Sequence, residues 1–448
     1  MRTLTEAAEQ IRARSLSPVE LTRECLARIE RLNPDLNAFI TVTAEPALEA
    51  ACQAESEVSA GNYRGPLHGI PIGLKDLFDT AGVRTTAASN QVRERVPTQD
   101  AEVVRRLKQA GAVIIGKLNM HEFAFGMSGV VSAFGPVRNP WNRERITGGS
   151  SSGSAAAVAA GLCLAALGSD TSGSIRCPPA LCGIVGHRPS AGLISTKGVV
   201  PLSTSFDTVG PMTSTVRDAA ILFDVLVGQP TYASILEEDV SRLRVGVARN
   251  NFFEDLDADV ASCVESALQV VKKLCAEVRE VEVPVEGFRT IFDAEIYEYH
   301  EAMIREHPEL YDPRTLFRLQ KCAGISATDY LRERHRLDAH RVQAGKTFEQ
   351  VDVVITPTTP SPAPRIADLE TLPIADVRPF EMNHLMRNTL PFSALYWPSI
   401  SVPCGFTRDG LPVGMQISSR PGGDSICFRV AHAYERETDW RKRKAPVD

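Results

Sequence analysis

An α/β fold, with one sheet packed between helices on both faces, is what this sequence predicts, and three observations predict it. Apolar runs without polar alternation at residues 243–248, 351–356, 399–404 and 412–418 read as strands buried on both sides. Helical segments with a single apolar stripe lie between such runs: over residues 257–275, Val260, Val264, Leu268, Val271 and Cys275 share one face. Finally, no Gly/Ser linker, long charge run or fixed-period repeat divides the chain. The 448 residues therefore read as one large domain, although length alone allows about three.

The elements follow in order. Ser17-Pro18-Val19-Glu20 carries a capping box with proline at the first helical position, opening a helix to about residue 32. Residues 38–43 form a strand candidate, and a helix follows from 46 to about 60. A helix over 100–110 is stopped by Gly111, and 113–116 is a short buried strand.

Composition excludes several functions. With 43% hydrophobic and 23% charged residues the chain can bury a large core. Net charge is −6 and the basic residues are scattered, so nucleic acid is not an expected direct partner. The first residues hold no apolar signal region, and no run approaches the ~18 apolar residues of a membrane span. A cytoplasmic protein is the expectation. The 10 cysteines are scattered singly in apolar segments, as reduced core cysteines are. Cys177, Cys182 and His187 lack the paired spacing of a zinc site.

Chemistry concentrates in two stretches, Thr147-Gly148-Gly149-Ser150-Ser151-Ser152-Gly153-Ser154 and Asp170-Thr171-Ser172-Gly173-Ser174-Ile175-Arg176. Each holds a glycine-preceded serine, Ser150 and Ser174. Upstream, Lys75 closes the apolar segment Gly69-Ile70-Pro71-Ile72-Gly73-Leu74-Lys75-Asp76. A serine needs a base to become a nucleophile, and a desolvated lysine supplies one because burial disfavours the ammonium form. No histidine is then required, and His68, His121 and His187 are given no task. Small turn-forming residues before Ser174 let the backbone N–H groups of Thr171, Ser172, Gly173 and Ser174 converge on one oxyanion. Gly149-Ser150-Ser151-Ser152-Gly153 also matches a nucleophile elbow centred on Ser151. That motif needs an apolar strand before it, which residues 139–146 do not make. A phosphate loop at the following helix lacks the Lys-Ser/Thr ending.

These motifs, with Gly116-Lys117-Leu118-Asn119-Met120, Phe134-Gly135 and Asn139-Pro140, resemble the amidase signature family, serine hydrolases that cleave carboxamides. The resemblance spans most of the chain, with a dense core at about 65–212. It implies one mixed sheet of many strands, a single amidase domain over 1–448, and a variable cap near 284–345. It also implies a Ser, cis-Ser, Lys triad: Ser174 as nucleophile, Ser150 as relay after a cis Gly149-Ser150 bond, Lys75 as base, and no cofactor. Ser151, Asp170 and Arg176 then brace the site.

Substrate is read from departures. The family's glutamine-hydrolysing component of a tRNA-dependent amidotransferase, its A-type chain, carries Thr-Glu-Asn where this chain has Gly129-Val130-Val131, and Gly-Leu where it has Tyr396-Trp397. Met127, Val130, Val131, Tyr396 and Trp397 are thus placed in an apolar pocket, although Tyr396 and Trp397 equally suit core filling. Arg387 is a candidate for a substrate carboxylate, with a surface role as its alternative. The expected function is hydrolysis of a small amide, anilide or related carbamate. The alternative is the glutaminase component, which would hold B- and C-type partner chains. The expected partner is the small-molecule substrate alone, with neither nucleic acid nor membrane, and a homodimer allowed.

Overall fold

The computed structural model describes residues 2–447. Its strands, in chain order, are β1 (Phe39–Val42), β2 (Pro71–Lys75), β3 (Val113–Leu118), β4 (Arg138–Asn139), β5 (Asn142–Ile146), β6 (Ala165–Asp170), β7 (Val185–Arg188), β8 (Thr208–Thr213), β9 (Arg244–Ala248), β10 (Glu277–Val281), β11 (Val353–Pro357), β12 (Ser399–Phe406) and β13 (Pro412–Ser418). β4 and β5 pair by themselves, and the other 11 form one sheet in the order β1-β3-β2-β6-β8-β7-β12-β13-β11-β9-β10. β2 runs parallel to β3 and β6, and β9 parallel to β10 and β11. The remaining neighbours are antiparallel. This is the mixed sheet that the sequence predicts, and helices pack on both its faces, among them Pro18–Leu36, Ala44–Ser59, Val216–Val227 and Ala258–Leu274.

Local chemistry sets the boundaries. Ser17 accepts from the N–H groups of Val19 at 3.1 Å and Glu20 at 3.2 Å, satisfying two donors that the first turn leaves free. The helix runs on to Leu36, past its predicted end, and stops where Asn37 turns left-handed at φ 54°. The helix Glu102–Gln109 ends before Gly111, whose φ of +82° and closeness to the His68 ring exclude a side chain.

The sequence reading names no strand at β2, β6, β7, β8 or β10, and two of these have clear reasons to be missed. β8 lies between β6 and β7 yet contains Pro211, opposite Leu167, and proline is rarely found inside a sheet. β10 is an edge strand whose Glu277, Arg279 and Glu280 are exposed, so it carries no apolar run. Among the described residues no helix is long and apolar enough to cross a membrane.

Candidate active site

Because β2 runs parallel to β6 beside it, Lys75 at the end of one strand and Ser169 and Asp170 at the end of the other emerge at the same edge of the sheet. The carboxyl ends of parallel strands are where such sheets open to ligands. Lys75 is fully buried. Its Nζ donates to Ser150 Oγ at 2.7 Å and to Ser169 Oγ at 2.9 Å. Burial pushes its pKa down from 10.5 to about 7, while the carboxylates of Asp207 and Asp170 pull the other way. Ser150 follows a cis peptide bond from Gly149 and precedes the helix Ser152–Ala159.

Ser174 sits in the turn between β6 and the helix Cys177–Cys182. It is 3% exposed, and its Oγ lies 3.6 Å from Met127 Sδ. Lys75 and Ser150 are therefore joined directly, whereas the Ser174 hydroxyl faces the methionine.

Asp170 organises that turn. Its carboxylate accepts from the N–H groups of Gly173 at 2.8 Å and Ile175 at 3.1 Å. Arg176 binds it with Nε at 2.9 Å and Nη2 at 3.0 Å, and Arg188 Nη1 adds a contact at 3.0 Å. Burial raises the Asp170 pKa, but the two guanidinium groups outweigh it and hold the carboxyl well below the usual range. Arg176 extends the network to Thr389 O at 2.8 Å, Gln416 Oε1 at 2.8 Å and Ser393 Oγ at 2.7 Å. All three charged groups are fully buried.

The four N–H groups expected to form the oxyanion hole are not equivalent, and one needs correcting. The Gly173 N–H is already committed to Asp170 Oδ1. Those of Thr171, Ser172 and Ser174 have no acceptor among the described residues. Gly173 is instead required sterically: its φ is +143°, and a Cβ there would lie 2.2 Å from Thr389 Oγ1. Thr389 also donates to Ser172 O at 2.7 Å, fixing the loop from behind. Ser151 donates to Ser169 O at 3.2 Å, so its hydroxyl is bound to β6.

A cavity of about 280 Å³ opens at this turn, lined by Met127, Thr171 and Ser172 together with Phe288, Phe292, Arg318 and Arg378. Of the predicted pocket residues, Met127 alone is in its lining. Val130 packs with Ile146, Cys177 and Leu181 in an apolar cluster that reaches the cavity through Met127 and Met386, without lining it itself. Val131 is buried and turns its carbonyl to Glu122 N at 2.8 Å. Trp397, 1% exposed, is wedged between Phe348 and Phe392. Tyr396 donates to Ser205 O at 2.7 Å under the Arg341 guanidinium, 3.5 Å from the ring centroid. Arg387 binds the Glu254 carbonyl. The departures from the family pattern at Val130, Val131, Tyr396 and Trp397 therefore do not line the cleft, because the fold packs these side chains elsewhere.

Sequence reasoning passed over Ser169, Asp207, Arg188 and Gln416. Asp207 accepts from Thr171 Oγ1 at 2.5 Å and from the N–H groups of Leu202 and Ser203 at 2.8 Å and 3.1 Å, and burial pushes its pKa up to about 6. None of them carries a sequence signal: the short β7 has no apolar run, and only its burial shows that the charge of Arg188 demands a partner.

A family model described as Amidase matches residues 20–428. The chain is 38% identical to the A component of the glutamyl-tRNA(Gln) amidotransferase of Geobacter metallireducens, over 99% of both chains. Among solved structures it is similar to an amidase, at 34% identity and a TM-score of 0.89 over 98% of this chain and 100% of the other. It is also similar to the A component of the glutamyl-tRNA(Gln) amidotransferase of Thermotoga maritima, at 32% identity and a TM-score of 0.78 over 98% and 95%. These relatives correct the expectation of a small-molecule amide or carbamate as the sole partner, with at most a homodimer, because relatives of full length are the A subunits of a glutamyl-tRNA(Gln) amidotransferase. With the family model covering most of its length, the chain belongs to the amidase signature family.

Proposed function

We propose that this chain hydrolyses a carboxamide through an acyl-enzyme on Ser174, as the glutamine-hydrolysing A-type component of an amidotransferase assembly. The observation that carries the chemistry is the 2.7 Å contact of a fully buried Lys75 with Ser150. Membership of such an assembly is supported by 38% identity over nearly the whole of both chains. Neutral Lys75 takes the Ser150 proton and Ser150 takes that of Ser174, whose Oγ leaves Met127 and attacks the amide carbon. The N–H groups of Thr171, Ser172 and Ser174 stabilise the oxyanion. The relay run in reverse protonates the leaving amine as the C–N bond breaks. Water, deprotonated by the same relay, then cleaves the ester and releases the acid. Asp170 and Arg176 hold the loop, Ser151 steadies β6, and residues 284–345 act as the variable wall of the cleft. Ten free cysteines support a reducing, cytoplasmic compartment.

The lysine base sets a pH dependence. Only the neutral amine accepts a proton, so kcat/KM rises about tenfold per pH unit below about 7 and levels off above it. Asp207 favours the ammonium form, so Asp207→Asn moves this limb to lower pH. A profile that falls between pH 7 and 9 would contradict the lysine assignment.

The apolar wall of the cavity, with Phe125, Phe288, Phe292 and Met382, favours a second substrate reading, a small amide, anilide or aryl carbamate. Affinity purification of the tagged chain at native expression, followed by kcat/KM on glutamine, an anilide and an aryl carbamate, separates the two. Stoichiometric partner chains with glutamine as best substrate support the first. A chain purifying without partners and preferring the anilide establishes the second.

A further inference from the structure

The wall of the cavity facing the Ser174 turn carries a concentration of positive charge that the catalytic scheme leaves without a task. Arg289, Arg318 and Arg378 all line it. Like charges this close are unfavourable unless anions separate them, and the protein supplies two. Asp293 accepts from Arg289 Nε at 2.6 Å, and the fully buried Glu381 accepts from Arg318 Nη1 at 3.0 Å. Glu381 is further engaged by Met127 N at 2.8 Å. The one acid in the lining itself, Glu286, pairs with Arg336 at 3.4 Å and His340 at 3.6 Å.

That leaves donors without acceptors. Among the described residues the half-buried Arg378 guanidinium makes no hydrogen bond; burial together with Arg318 and Arg289 disfavours its charge, and the Asp293 carboxylate, already bound by Arg289, opposes them. Arg318, whose side chain is 10% exposed, stacks 4.3 Å above the Phe125 ring. Its Nε is buried without a partner. A buried donor left unsatisfied is unfavourable, so the Arg318 Nε–H, with the partly exposed Arg378 guanidinium lining the same cavity, points to a ligand that engages both. Around them the lining is apolar, with Phe288, Phe292 and Met382.

We propose that Arg378, with Arg318 beside it, forms an anion subsite of the cleft, and that the substrate is a carboxamide bearing a carboxylate on a short apolar stem. This rests on amide hydrolysis at Ser174. The amide reaches the Thr171–Ser172 side of the cavity, and the carboxylate takes the fork of Arg378 and the free Nε–H of Arg318, a geometry that a planar guanidinium suits better than an ammonium. Glutamine carries such a carboxylate. A neutral anilide does not.

The test compares glutaric acid monoamide with pentanamide, which share a stem and differ in the terminal anion. In Arg378→Met, the ratio of kcat/KM for the monoamide to that for pentanamide falls about tenfold to a hundredfold, through KM, as expected for lost hydrogen bonds to a charged group. Arg378→Lys restores part of the ratio. Melting temperature does not fall, because the substitution relieves repulsion from Arg289 and Arg318. An unchanged ratio, or a fall in melting temperature with equal losses on both amides, overturns the subsite. Glutarate binding, read as thermal stabilisation, requires no turnover: it persists in Ser174→Ala and is lost in Arg378→Met. An active Ser174→Ala that still binds glutarate refutes the nucleophile alone, and an Arg378→Met that binds glutarate as the unaltered protein does refutes the subsite alone.

Discussion

Replacing Ser174 with alanine lowers kcat by about a thousandfold or more with little change in stability, the outcome expected when one member of a nucleophilic relay is removed. The side chain makes a single polar contact, with Met127 Sδ at 3.6 Å, so its loss leaves no buried donor unsatisfied. A sulfonyl fluoride labels Ser174 in the unaltered protein and nothing in the variant. Ser151 stays unlabelled because its hydroxyl donates to Ser169 O. Mass-spectrometric mapping of the label to Ser151, or a variant that retains a tenth of the activity, would refute the assignment.

Asp170→Asn has the largest expected effect on stability. The carboxylate faces two fully buried guanidinium groups, and removing one partner of a buried charge network costs about 3–5 kcal/mol. An asparagine keeps the shape but leaves Arg176 and Arg188 without an anion. Because the native carboxyl titrates well below its ordinary range, the stability it confers is complete above the unfolded-state value and is lost only as pH falls through the lowered one. The deficit is therefore present in full at neutral pH and narrows in acid. Denaturant midpoints at pH 7 and at about pH 2, below the ordinary carboxylate value of about 3.9, measure it. A variant with the original midpoint at pH 7 would show that the network contributes nothing.

The parts legible in the sequence are those encoded by contiguous residues. Ser150 and Ser174 sit in glycine-rich runs whose local conformation is written in the same residues, and the apolar strands β9, β11, β12 and β13 declare themselves by burial on both faces. Pro211 hid β8, because a proline suits a central strand only when its neighbours need no donor there. The substrate side was harder. Val130, Val131 and Trp397 differ chemically from the glutaminase pattern, but whether a side chain faces a cleft or the core is fixed by chain direction and not by identity. Arg318 and Arg378 lie in helices that carry no motif, and their meaning depends on what fails to pair with them. The low pKa of Lys75 arises from burial by segments distant in sequence, which no local reading contains.

The reach of Arg176 has a further consequence for when the site comes into being. Every residue of the relay lies within the first 174 positions, yet the loop that carries Ser174 is tied through Arg176 to Thr389, Ser393 and Gln416. A nascent chain that has already exposed Lys75, Ser150 and Ser174 still lacks the acceptors that fix the nucleophile, and gains them only when the last sheet strand, β13, has left the ribosome. A chain truncated before residue 389 thus carries all the proposed reactive groups without the partners that hold the Ser174 turn.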